Sequence, residues 1–170
     1  MKLIDMHCDT LMKLLEQPEK SLAELDTEVN LPGLKQAGSM AQFFACFTNL
    51  MDYPQPPERA YDEAYRTVLR MIERMKEEIQ KAPQELALAT GAQEILDNDA
   101  AGKISAFLTV EEGGILNGRM ERLHDLYDQG IRLITLTWNY ENCLGYPNSA
   151  DPQVMGKGLK SFGVEVVEEM

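Results

Sequence analysis

Histidine is nearly absent from this sequence, with two copies in 170 residues, and tryptophan occurs once. Cysteine is scarce as well: Cys8, Cys46 and Cys143 are odd in number and widely spaced. That spacing fits reduced thiols rather than a disulfide framework or a cysteine-built zinc knuckle. No apolar run approaches the roughly 20 residues of a membrane-spanning helix, so no membrane span is expected. Positive charge is in deficit, 16 Lys and Arg against 28 Asp and Glu, for a net charge of -12. Phosphate backbones attract clustered Lys and Arg and repel such a surface, which argues against a nucleic-acid partner. The opening residues Met1-Lys2-Leu3-Ile4-Asp5 place an acid where a signal peptide requires an apolar stretch. The expectation is a cytoplasmic protein.

What is present is ordinary globular material, 44% hydrophobic and 26% charged, enough for one real core. Neither an internal repeat nor a low-complexity linker divides it, so a single domain over 1–170 is expected. The stretch from Lys2 to Asp9 begins as a short apolar strand, and Leu11, Leu14 and Leu15 then fall at helical spacing. After a break at Pro32-Gly33, the run Ala41 to Phe47 suits a buried strand. Met51 to Pro57, with three prolines, reads as a loop. From Glu58 to about Gln80 the residues Tyr61, Ala64, Tyr65, Val68, Ile72, Met75 and Ile79 form one apolar helical stripe.

Further on, Leu86 to Thr90 suits a strand, Gln93 to Asp97 a short helix, and Ile104 to Glu111 a clear strand. Met120 to Gln129 is a helix that stops at Gly130, and the strand Ile131 to Thr137 follows directly. A loop rich in Asn, Gly and Pro runs from Asn139 to about Pro152, and Leu159 to Met170 begins another helix. Strands alternating with helices imply an α/β fold of right-handed βαβ units on a parallel sheet. The first strand lacks a Gly-rich phosphate loop, which favours a (β/α)8 TIM-type barrel over an open doubly wound sheet. Such a barrel needs about 250 residues. Roughly four strand-helix units are countable here, so the chain covers about the first half.

Two constellations carry chemistry. In Asp5-Met6-His7-Cys8-Asp9-Thr10 the alternation of a strand sends His7 and Asp9 to one face and Met6 and Cys8 to the other. An imidazole and a carboxylate at a strand's C-terminal end suit a zinc ion, although a capping Asp beside a hydrogen-bonded His has the same spelling. In the second strand of interest, Ile104, Ala106, Leu108 and Val110 fill the helix-facing parity, so Ser105, Phe107, Thr109 and Glu111 point inward. A carboxylate pointing into a barrel is costly unless paired or metal-bound, and Glu111 is therefore a candidate ligand. A helix-capping or solvated acid is the plainer alternative. Glu112, on the opposite parity, is expected to face a loop or solvent, and the Gly113-Gly114 pair allows a tight turn.

These residues also resemble a known family. Asp-x-His-x-Asp at the first strand, Gln42-Phe43, Val110-Glu111 with Gly113, and Leu126-Tyr127-x-x-Gly130-x-Arg132-x-x-Thr135-Leu136-Thr137 are similar in order and spacing to the membrane (renal) dipeptidases, zinc metallopeptidases. The resemblance covers nearly the whole chain, and its ungapped register again selects Glu111 over Glu112. It implies a zinc-dependent dipeptidase that hydrolyses dipeptides through a metal-bridging hydroxide. His7 and Asp9 would bind one zinc, and Glu111, the catalytic carboxylate, would bridge it to a second.

The chain departs from that family in two places. The second zinc is completed in the family by two later histidines, and the one remaining histidine here, His124, lies within a helix. At most one zinc is therefore expected in this chain, without turnover. Where the family often has a substrate-contacting His after Thr-Leu-Thr, Trp138 stands, followed by Asn139. Both are candidate substrate-lining residues, as are Asn142 and the loop through Asn148. Cys8, between two ligands in sequence but on the other face, is expected to be a buried structural thiol. A half barrel leaves a strand edge and apolar faces exposed, which favours self-association or a homo-oligomer. Another amidohydrolase-type hydrolase, or a non-catalytic binding or assembly module, remains open on the residues alone.

Overall fold

The computed structural model describes residues 2–53 and 57–170. In chain order its elements are β1 (Leu3–Asp5), α1 (Thr10–Glu16), α2 (Leu31–Ala37), β2 (Ser39–Phe47), α3 (Pro57–Lys81), β3 (Leu86–Leu88) and α4 (Ala92–Ala100). They continue with β4 (Ile104–Glu111), α5 (Met120–Asp128), β5 (Ile131–Thr135), α6 (Pro152–Met155) and α7 (Ser161–Glu169). Short 3-10 turns occupy Leu50–Asp52 and Gly113–Leu116.

Every strand pair is parallel. β2 lines one edge of β4 from Ala41 opposite Ser105 to Phe47 opposite Glu111, and β1 lies beyond β2. The other edge of β4 is shared end to end. β3 pairs with its start, Leu86 opposite Ile104, and β5 with its end, Glu111 opposite Thr135. β3 is thus a stub inserted below β5 rather than a full strand. Gly130 lies at this junction with φ 106°; a Cβ there would sit 3.3 Å from Leu88 Cδ2. Only glycine takes that backbone conformation at little cost.

The sheet has two differently packed faces. Ala106, Leu108 and Val110 of β4 and Phe44 and Cys46 of β2 join Leu11 and Leu14 of α1, Val68, Ile72 and Met75 of α3, and Leu126 of α5 in the main core. The amphipathic stripe of α3 is therefore used as its periodicity predicts. On the opposite face Phe43 and Phe107 stack with ring centroids 4.6 Å apart, packed with Ala41, Ala89 and Ile95. Ile95 belongs to α4, whose Asn98 Nδ2 donates to Ser105 Oγ at 3.0 Å. This helix covers the inner face at the strands' N-terminal ends. The C-terminal ends stay open, and there the candidate site lies.

Several boundaries differ from the sequence expectations for local reasons. Pro32-Gly33 does not break the chain but opens α2, where the Asn30 side chain accepts a bond from Gly33 N at 2.8 Å. Proline lacks an N–H that the first helical turn leaves unbonded anyway. In the segment read as a loop from Met51, Leu50–Asp52 forms a 3-10 turn, and residues 54–56 lie outside the described residues. α4 is longer than expected, β5 ends at Thr135 rather than Thr137, and the short α6 was not anticipated. Far from the open end, buried Glu78 of α3 accepts from Leu22 N at 2.6 Å and pairs with Arg74 at 3.0 Å, tying the segment after α1 to α3. Among the described residues no helix is long and apolar enough to cross a membrane.

Candidate metal centre

The site begins where β1 ends. Cys8 N donates to Phe43 O at 3.0 Å and Ala45 N donates to Cys8 O at 2.9 Å. Pairing with β2 thus continues past the strand proper and sets Cys8 opposite Phe44, in the main core. His7 and Asp9 flank it and turn to the other side, as alternation requires. Met6 is exposed rather than packed. Asp9 occupies the cap position of α1, yet its side chain makes no capping bond. An Asp there ordinarily bonds the first turn; this one faces His7 instead.

Glu111 reaches the same point from the tip of β4. His7 Nε2 lies 3.2 Å from Glu111 Oε2 and 3.3 Å from Asp9 Oδ1. One donor atom from each residue lies within 4.8 Å of the other two. Burial raises the Glu111 carboxyl above its ordinary range, the facing His7 works against that rise, and the Asp9 charge adds to it. Among the described residues no Lys or Arg pairs with either carboxylate. Two carboxylates crowding one imidazole nitrogen without a basic partner form a place where a cation is favoured.

The donor set suits zinc in kind, and the two His7 separations suit it in spacing. Zinc takes imidazole nitrogen and carboxylate oxygen at about 2.0–2.2 Å in tetrahedral sites, so neighbouring ligand atoms stand about 3.3–3.5 Å apart. The two His7 separations agree with the lower end of that range.

Beside the donors stands an aromatic group. Phe47 is the register partner of Glu111. Its ring packs edge-to-face on Trp138 with centroids 4.9 Å apart, and Trp138 meets Tyr140 at 5.9 Å. Trp138 is thereby placed next to the donor cluster. Asn139 is exposed, and among the described residues no hydrogen bond ties its side chain to the cluster. Phe47 had no distinguishing signal in sequence, because it is one of three phenylalanines in a largely apolar run. His124 is far from convergent: it sits exposed on α5 and its Nε2 meets Glu169 Oε1 at 2.8 Å.

The chain, compared as a whole, matches the family described as Membrane dipeptidase (Peptidase family M19) over residues 1–170. It belongs to that family. An uncharacterised dipeptidase of Schizosaccharomyces pombe is 27% identical over 99% of the chain and 44% of its own length. Among solved structures, the metallopeptidase called dipeptidase AC superposes with a TM-score of 0.82 at 24% identity, over 99% of the chain and 53% of that protein. A metallopeptidase from Rhodobacter sphaeroides, solved with a phosphinate mimic of the dipeptide L-Ala-D-Ala, gives 0.82 at 22% identity, over 99% of the chain and 55% of that protein. The membrane dipeptidase fold is a TIM-type barrel, and this chain supplies about half of it; it spans less than half the length of the curated relative.

One expectation is overturned in part. Glu112 does turn to a loop, the one that carries Trp138 and Asn142, but it does not reach solvent: it is fully buried. β4 ends at Glu111, and Glu112 turns with φ 88° and ψ 83°, so strand parity no longer governs it. Its Oε1 accepts from Gly114 N at 2.8 Å and from Asn142 Nδ2 at 2.5 Å, and its Oε2 from Trp138 N at 3.1 Å. Burial raises this carboxyl, and hydrogen bonding from Asn142, Gly114, Trp138 and the Tyr140 hydroxyl opposes the rise. Any side chain at Gly114 would collide with the Glu112 carboxylate and Asn142, which is why the turn carries glycine. No local pattern announces this arrangement, since Asn142 arrives from a loop 30 residues away.

Proposed function

We propose that this chain supplies one metal half-site of a zinc-dependent dipeptidase, held by His7, Asp9 and Glu111. The observation that carries the reading is the convergence of three donor atoms within 4.8 Å, at the C-terminal ends of β1 and β4, without a basic partner. Chemistry gathers at that end of parallel barrels. A bound zinc would polarise the scissile carbonyl and lower the pKa of a water towards about 7. His7 presents a ring nitrogen and Asp9 a carboxylate free of capping duty, while Glu111, the last residue of β4, is aimed inward by strand alternation. The substrate class is a dipeptide. Phe47 and Trp138 form an apolar wall on one side of the donors, suited to excluding water and seating a substrate side chain.

In the family, as the sequence resemblance implies, Glu111 would be shared by two ions and later histidines would complete the second. The present residues account for one ion. The reading carries with it a cytoplasmic setting, in which the three unpaired thiols stay reduced.

In a protein carrying this segment together with the other half of the barrel, Glu111→Gln is expected to abolish dipeptide hydrolysis and reduce bound zinc. Unchanged turnover would overturn the assignment. Activity on cyclic amides with none on dipeptides would instead favour the amidohydrolase alternative. The 170-residue chain alone is expected to bind at most one zinc, weakly, and turn over nothing.

A further inference from the structure

Glu112 stands next to a candidate ligand yet takes no part in the donor cluster, because its oxygens are already occupied. Oε1 holds Gly114 N and Asn142 Nδ2, and Oε2 holds Trp138 N. Asn142 extends the connection: its Nδ2 also donates to Leu136 O at 2.8 Å, and its Oδ1 accepts from Leu144 N at 2.8 Å and Gly145 N at 3.2 Å. One buried carboxylate and one buried amide therefore join the tip of β4, the turn after it, the end of β5 and the loop beyond.

We propose that Glu112 is a positioning residue that, with Asn142, clasps the ends of β4 and β5 and so fixes both the Glu111 carboxylate and the Trp138 ring at the mouth of the site. For Glu111 this rests on the metal-centre reading; for Trp138 it rests on geometry alone. Two observations separate a clasp from a mere turn. The backbone at Glu112 lies at φ 88°, where glycine is easier and a long side chain is disfavoured. The side chain placed there is a charge buried completely, tolerable only with several well-aimed donors. Both features are costs that the turn alone does not need. The hydrogen bond to Trp138 N acts where β5's continuation meets Phe47, the register neighbour of Glu111.

Trp138 is the sole tryptophan, so its emission reports on the clasp without any label. The experiment compares Glu112→Gln, Glu112→Gly and, as a control, Glu78→Gln at the buried carboxylate remote from the site. Three quantities are read on the full chain: Trp138 emission and its quenching by acrylamide, zinc affinity by competition with a chelator, and melting temperature. Glutamine can still accept at the position of Oε1 but sets an amide N–H2 against Trp138 N–H. It is expected to red-shift the emission, raise quenching about twofold and weaken zinc binding at least fivefold. Glu112→Gly relaxes the backbone yet is expected to do the same or more, while Glu78→Gln lowers the melting temperature and moves neither emission nor affinity.

Parent-like emission in Glu112→Gly overturns the clasp, because the turn alone then suffices. Equal shifts in Glu78→Gln overturn it as well, because the effect is then general loosening. Should the glycine variant fail to fold, Glu112→Gln decides, since it preserves size. If the unaltered chain binds no zinc, the metal reading falls on its own and Trp138 emission still tests the clasp.

Discussion

His7 Nε2 and Glu111 Oε2 meet at 3.2 Å although their strands are not neighbours: β2 runs between β1 and β4. Two strand spacings amount to about 10 Å in a flat sheet. The side chains close that gap from the sheet's inner face, above the Phe43–Phe107 stack. If this meeting is a ligand set, His7→Ala removes the single zinc from the chain. His124→Ala leaves it in place, since that ring is engaged with Glu169. Metal content after dialysis, measured by atomic emission, checks both; equal loss in the two variants would contradict the site.

The inner-face stack is expected to matter for stability as well as for shape. Phe107→Ala removes a buried ring that meets Phe43 and lies under α4, and truncations of this kind cost about 3–5 kcal/mol. Leu96→Ala, on the exposed side of the same helix, should stay within about 0.5 kcal/mol. Urea unfolding of the two variants distinguishes a plugged inner face from a loosely covered one, for which the two losses would be similar.

Thiol reactivity follows burial. Burial pushes Cys8 up to about 11, against hydrogen bonds from Thr10, and raises Cys46 and Cys143 as well. The thiolate is the reactive form. At pH 7.5 the native chain is expected to react slowly at all three positions, and all three should titrate promptly with an aromatic disulfide once it is unfolded. Rapid native reaction at Cys46 would contradict the packing of β2 against α1 and α3.

Acid should release a specific clamp. Asp62 of α3 is hydrogen-bonded by Arg122 of α5, and that bond, with the charges of Arg122 and Arg119, holds its carboxyl below the usual aspartate value. A folded pKa lowered from the unfolded value contributes stability that is present above the unfolded value, about 3.9, and is lost as pH falls through the folded one. Melting temperature should therefore drop below about pH 4, and Asp62→Asn should flatten that limb. An unchanged acid limb in the variant would rule out this carboxylate as its source.

Self-association is expected through the edge at β1, where Leu3, Ile4 and Met6 are exposed. Open parallel edges with apolar side chains recruit other strands. Sedimentation velocity should show concentration-dependent growth, and Ile4→Lys should suppress it. A monomer at every concentration would place the expected oligomer elsewhere or nowhere.

Much of the fold was legible because it is local. The stripe of α3 and the span Ile104–Glu111 follow from periodicities of 3.6 and 2, and Gly130 marks the stop of α5 because few other residues accept its backbone angle. Boundaries set by tertiary pairing were less legible. β3 and β5 share one edge of β4, which shortens both, and Pro32-Gly33 reads as a break until Asn30 is seen capping α2.

For the site the division is sharper. Sequence alone determined which side chains sit at strand tips: His7 and Asp9 by alternation, and Glu111 by the apolar parity of its strand. Tertiary structure decided what those tips meet, because contact across β2 depends on sheet curvature that no local pattern encodes. It also decided the fate of Glu112. Parity holds only while the strand lasts, and one residue beyond it the backbone turned the carboxylate inward, to partners supplied by a distant loop.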